Sequence, residues 1–248
     1  MSIDQVTSFS TVSRVLPSAN ADNSQIANRA SVRGEQYVQS LLGSKLHGLS
    51  DEGSYFIATN PTPGTGIAGI AATGGFSDAE SLFMLRMADA STKRHYPDFL
   101  LLELTAAGTN GTTVEFAIKG DTGTTRYTSG GSAITPVNSC MRSTATSDAT
   151  MYFGALVTTA ASASARLLAH GKIRTVIGVA GDKYLFTFGN ASPANVAGMI
   201  LEGTAQAAIH VPCPPMSFGA TDQLVMSIFA ASQSAAQSFQ FMYGGWER

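Results

Sequence analysis

Charge is scarce in this chain of 248 residues: Asp, Glu, Lys and Arg together make up 13%, against about 25% in ordinary soluble domains. Fifteen basic and 17 acidic residues leave a formal charge of −2. Without a positive field there is nothing to gather phosphate backbones or an anionic bilayer, so neither nucleic acid nor membrane is an expected partner. Cysteine is nearly missing too. Cys140 and Cys213 have no framework spacing and are expected as reduced thiols. The most apolar stretches, Phe99-Leu100-Leu101-Leu102 and Val196 to Leu201, fall far short of the ~20 residues of a membrane-spanning helix. Met1 to Gln5 lacks the basic and then apolar pattern of a secretory signal, so no Sec-type export is expected.

Signatures of chemistry are equally sparse. His47, His95, His170 and His210 stand singly, with none at the spacing of a helix-borne metal site. No G-x-S-x-G elbow marks a serine as a nucleophile. Gly64-Thr65-Gly66-Ile67-Ala68-Gly69 fits G-x-G-x-x-G, but it follows Asn60-Pro61-Thr62-Pro63 rather than a strand and precedes a poor helix, so it reads as a loop. His210 and Cys213 lie close together, yet a metal would need two further ligands from distant segments. Glu103 and Glu115 fall on neighbouring expected strands, where a glycosidase would place its carboxylate pair, but they read as solvent-face residues. Arg86, Lys93, Arg94 and His95 read as a solvated basic loop. Catalytic residues, metal ligands and cofactors are therefore assigned to none of these, and no small-molecule ligand is expected.

What the chain does have is Ser, Thr, Gly, Asn and Gln in abundance, arranged in three regions. Residues 1–60 carry few large apolar side chains and could not bury enough surface to fold alone; they read as an extended arm. Within it, Tyr37, Val38, Leu41 and Leu42 recur at helical spacing before Gly43, which predicts a short helix near 35–42. Residues 61–80 form a Gly/Pro-rich connecting loop. From Ser81 to the end the apolar period becomes two, which predicts strands near 82–88, 99–105, 113–119, 151–158, 166–170, 172–179, 183–188, 205–211, 223–230 and 237–243. In Thr113 to Lys119, Val114, Phe116 and Ile118 share one face while Glu115 and Lys119 share the other. Asn110-Gly111 supplies turn residues that predict a hairpin between 99–105 and 113–119. One helix is weighed, from Ser192 to Leu201. About ten short strands without βαβ alternation predict an all-β fold, an antiparallel β-sandwich of jelly-roll type carrying the N-terminal arm.

The polar arm, the segment Asp51-Glu52-Gly53-Ser54-Tyr55-Phe56-Ile57-Ala58-Thr59-Asn60-Pro61-Thr62-Pro63-Gly64-Thr65-Gly66, the Ala/Gly/Thr-rich β region and the ending Gln240-Phe241-Met242-Tyr243-Gly244-Gly245-Trp246-Glu247-Arg248 together resemble virion structural proteins of tailed bacteriophages, of the capsid decoration (cement) or head-fibre type. The resemblance covers most of the chain. It implies a non-enzymatic protein, made in the host cytoplasm and placed on the capsid exterior, that forms homotrimers and clamps the major capsid protein through its arm. On that reading Tyr37, Leu41, Leu42, Tyr55 and Phe56 are the arm residues expected to be buried by assembly. The composition agrees, because a surface with few charges loses less to desolvation when neighbours cover it. The competing expectation is a carbohydrate- or receptor-binding module of a tail fibre or baseplate, with Tyr127, Tyr152 or Trp246 as a stacking platform for sugar rings.

Overall fold

A computed structural model describes residues 45–248 apart from 72, 110–112, 176–177 and 190–206, with side chains from residue 48 onward. A short helix, α1 (Lys45–Asp51), leads into β1 (Tyr55–Thr59) and the two-residue β2 (Ile67–Ala68). Then come β3 (Glu80–Met87), β4 (His95–Ala106), β5 (Val114–Asp121), β6 (Tyr127–Ile134), β7 (Val137–Asn138) and β8 (Ala149–Thr158). The chain continues through β9 (Arg166–Arg174), β10 (Lys183–Phe188), β11 (Ala208–Cys213), β12 (Gln223–Phe229) and β13 (Ser238–Glu247).

These strands make two sheets. One runs β11-β10-β4-β13-β1-β7, with β2 added beside β13; the other runs β6-β8-β3-β12-β5-β9. The pairs β1·β13, β3·β12, β4·β10 and β5·β9 are all antiparallel and nest like the rungs of one long hairpin. Successive rungs alternate between the sheets. A two-stranded ribbon wound in this way around a sandwich is a jelly roll. The unit β6-β7-β8 is inserted at the ribbon's tip, between β5 and β9; β8 and β6 extend one sheet beyond β3, and β7 joins the other beside β1. The only parallel pair among the described residues is β10·β11.

Period-two alternation explains the core. Leu100, Leu102 and Leu104 of β4 and Phe239, Phe241 and Tyr243 of β13 point inward to meet Phe83, Leu85 and Met87 of β3 and Leu224 and Met226 of β12. Phe153 stacks on Phe241 with centroids 4.3 Å apart, and Phe116 meets Phe186 edge-on at 5.2 Å. Each such fully buried side chain contributes roughly 1.5–3 kcal/mol of transfer free energy.

Several expectations are corrected. The 99–105 and 113–119 segments are not a hairpin: β4 and β5 lie in different sheets, because β10 and β13 occupy both edges of β4 over long registers. Those non-local ladders outweigh a local turn signal. Glu103 and Glu115 are thereby assigned to different sheets, and the carboxylate-pair geometry does not arise. The segments 166–170 and 172–179 merge into the single strand β9; Gly171, which reads as a break, is where the strand passes over Phe116, 3.3 Å from the position its Cβ would take. The arm is shorter than 1–60 at its end, since Tyr55–Thr59 is an inner strand between β13 and β7. Part of the 61–80 loop is also strand, as β2 pairs with Ser238 and Phe239. The helices expected near 35–42 and from Ser192 to Leu201 fall outside the described residues.

Candidate functional site

The last strand organises one end of the sandwich. Two consecutive glycines let it pass between side chains on both faces: a Cβ on Gly245 would lie 2.7 Å from His95 Nε2, and one on Gly244 2.5 Å from Phe99. Beyond them Glu247 turns inward. Its carboxylate lies 3.2 Å from His95 Nδ1, accepts from the Ser147 hydroxyl, accepts from the Asp148 amide at 3.0 Å, and has Lys93 Nζ at 3.6 Å. His95 Nε2 is 2.6 Å from the Tyr243 hydroxyl, and the two rings stack. Burial by itself would raise the Glu247 pKa, but hydrogen bonds from His95, Ser147 and the Asp148 amide, with the His95 charge, outweigh it and hold the group at about 2. Tyr243 is driven far up by burial and then by the neighbouring Tyr55, Glu247 and Asp98.

A His, a Glu and a Tyr in contact have the makings of acid–base chemistry, but His95 is 0% exposed and Tyr243 1%. Both ring nitrogens of His95 are engaged. The cluster is a clasp: it ties the end of β13 to the start of β4 and to the 147–148 loop. Trp246 belongs to the same closure, stacked on Tyr96 at 5.5 Å and 10°.

The outer faces of the two sheets are the remaining broad surfaces. On the seven-stranded sheet, register places Val137 opposite Ile57, Met242 opposite Leu101, and Leu101 opposite Leu185. Phe99 and Gly244 continue the same face. Met242 is 41% exposed and Val137 56%, while Ile57, Phe99, Leu101 and Leu185 are half-buried. Glu103 and Lys183 stand opposite each other at one margin, and Asp98 is held by the Tyr55 hydroxyl at 3.0 Å. This is a weakly charged face with partly exposed apolar side chains, a composition suited to burial against another surface.

Of the residues expected at the arm interface, Tyr37, Leu41 and Leu42 lie outside the described residues. Tyr55 and Phe56 are buried within the chain's own fold: Phe56 points into the sandwich, and Tyr55 sits on the outer face, bonded to Asp98. Tyr127 and Tyr152 stack on each other with centroids 3.9 Å apart, and with Trp246 on Tyr96 each of the three aromatics proposed for sugars has one ring face covered by the protein. His210 contacts the Thr187 hydroxyl at 2.7 Å across the β10·β11 pair, whereas Cys213 turns into the core, its thiol pushed up to about 12 by burial. They do not converge, and no group of three potential metal ligands occurs among the described residues. Gly64–Gly69 forms a turn and the short β2, with no helix after it. No described helix is long and apolar enough to cross a membrane.

Sequence reasoning missed the outer face because Ile57 was placed in the arm, and because Leu101, Leu185 and Met242 are separated in sequence and only the register aligns them. The clasp is not legible in sequence because His95 reads as part of a solvated basic loop, and its partners Glu247 and Tyr243 lie 152 and 148 residues away. Comparisons with protein-family models, with curated proteins and with solved structures find no match.

Proposed function

We propose that this chain is a non-enzymatic assembly protein that packs against sister copies, as a trimer, and decorates a phage capsid by binding the major capsid protein on its exterior. The observation that carries the reading is the open outer face of the seven-stranded sheet, where Leu185, Leu101 and Met242 stand side by side across β10, β4 and β13, and Ile57, opposite Gly244, lies two residues further along β1 on the same face. The jelly roll is compatible with it, being an architecture found in viral capsid domains as well as lectins. Low overall charge lessens the desolvation cost of association. His95, Tyr243 and Glu247 of the clasp are buried and so offer a substrate no access. Residues ahead of α1 would supply the clamp on neighbouring capsid subunits, in keeping with the resemblance.

Light scattering on the full chain, together with co-sedimentation with purified phage heads, tests this directly. The reading requires a trimer mass that falls to the monomer mass in Leu101→Asp and Met242→Asp, with loss of head binding. A wild-type monomer that fails to sediment with heads would refute it.

A further inference from the structure

The end of the sandwich that carries the clasp also holds a groove of about 410 Å³, within the range of small-ligand sites. It lies between the end of β5, the start of β9 and the loop before β12. Its floor is apolar, formed by Leu168, Met216 and Phe218. Gly120 keeps it open: a Cβ there would lie 3.0 Å from Leu168 Cδ1 and 3.8 Å from the Phe218 ring. Around the rim stand Ser164, Arg166, Ser217 and Asp222.

Two features mark this rim as more than a gap. Arg166 is exposed and has no ion pair or side-chain hydrogen bond to the described residues, so its donors are available in a groove that already has an acceptor in Asp222. The turn that presents Asp222 is also strained. Thr221 has φ 64°, a conformation β-branched residues rarely adopt, and it is held there by Asp222, whose carboxylate accepts from the Gly219 amide at 2.7 Å and whose own amide donates to the Gly219 carbonyl at 3.0 Å. Strain retained by such a brace is characteristic of ligand-binding loops.

The lining selects the ligand. Asp121, in the wall, is occupied: it accepts from the Thr122 and Ser162 amides and the Ser162 hydroxyl, with Arg126 behind it. With Arg126 set against Asp121 and Arg166 standing with Asp222, the groove carries no net formal charge and favours neither an anion nor a cation. Hydroxyl and charged donors and acceptors above an apolar floor match a neutral molecule with one C–H face and a rim of hydroxyls. We propose that the groove formed by Leu168, Met216 and Phe218 beneath Arg166 and Asp222 is a binding site for a neutral saccharide unit. The assignment does not depend on the assembly reading, since the groove shares no residue with the outer face that carries Ile57, Leu101, Leu185 and Met242.

The test is isothermal titration of the full chain with neutral hexoses, N-acetylhexosamines and their disaccharides, and with inorganic phosphate as an anion control. At least one saccharide is expected to bind, with affinity falling tenfold or more in Arg166→Ala, whose side chain is exposed, and in Gly120→Val, which fills the groove. Thermal melts confirm that each variant is folded. Met242→Asp should bind the same sugar as tightly as wild type even where it dissociates the oligomer, so the two proposals fail separately. Absence of binding across the panel, affinity unchanged in Arg166→Ala, or phosphate binding more tightly than every sugar would overturn the assignment.

Discussion

On the six-stranded sheet, Met84, Leu156 and Val225 point away from the shared core yet are buried, because Tyr127 and Tyr152 pack across them. On the seven-stranded sheet, Leu101, Leu185 and Met242 occupy outward rows of the same kind with no described element laid over them. The difference comes from β6. That strand brings Gly130 and Gly131, both at positive φ, so close to β8 that a Cβ on Gly131 would lie 2.2 Å from Leu156 Cδ2. Only glycine permits the approach, and it leaves Tyr127 lying on Tyr152. Phe76, against Phe229 at 5.5 Å and beneath Lys119, closes more of the same face. One apolar outer face is thus covered from within the chain; over the other no described element is laid.

The strongest way to break the comparison is to place a charge on each face in turn. Met84→Asp puts a carboxylate with no partner beneath the tyrosine pair and should cost about 4 kcal/mol, read from urea unfolding. Leu101→Asp should leave the urea midpoint much closer to wild type while lowering the mass in light scattering. If both variants unfold alike, the two faces are not different in kind.

Removing the cover comes next. Tyr152→Ala should destabilise by about 2–3 kcal/mol, less than a fully buried aromatic because the ring is half-buried, and should increase binding of a hydrophobic dye. No dye signal would mean that Tyr127 alone closes the patch.

Acid tests the clasp that secures the end of β13 beneath the open face. The folded pKa of Glu247, about 2, lies below that of an unfolded glutamate, about 4.3. Its stabilisation is therefore fully present above about pH 4.5 and is lost as pH falls toward 2. Asp121 adds to the same window: burial opposes its charge, but Ser162, the Thr122 amide and Arg126 lower its pKa. For Glu247 the linkage is worth about 2–3 kcal/mol. Glu247→Gln should lose that much at pH 7 and flatten the stability profile between pH 4.5 and 2, measured by urea titration at each pH. An unchanged slope would remove Glu247 from the account.

The smallest effect is expected from Met242→Asp, which should change unfolding free energy by less than about 1 kcal/mol, because the residue is 41% exposed. Its signature is the oligomer mass and head binding, not stability.

Much of the fold could be read from local pattern. The alternation in Val114, Phe116 and Ile118, and in Phe239, Phe241 and Tyr243, correctly marks buried faces, and many short strands without helices lead to the sandwich. β6 was not legible, since Tyr127-Thr128-Ser129-Gly130-Gly131-Ser132-Ala133-Ile134 has the composition of a loop and is a strand only because β8 offers an edge to pair with. β1 was assigned to the arm for a similar reason: five residues after a polar segment carry little periodic signal, and their place is set by β13 and β7. The groove rim at Arg166 and Asp222 could not be foreseen, because one residue opens β9 and the other sits in the turn before β12, far apart in sequence.

Sequence alone determined the all-β class, the inward-facing residues of the longer strands and the weakly charged surface, because these follow from side-chain period and composition within short windows. Tertiary structure decided which strands share a sheet, which outer face is covered, and where a buried carboxylate and an open groove fall. Those outcomes depend on pairings between residues as distant as Tyr55 and Trp246, whose free energy comes from ladders and packing that no local stretch encodes.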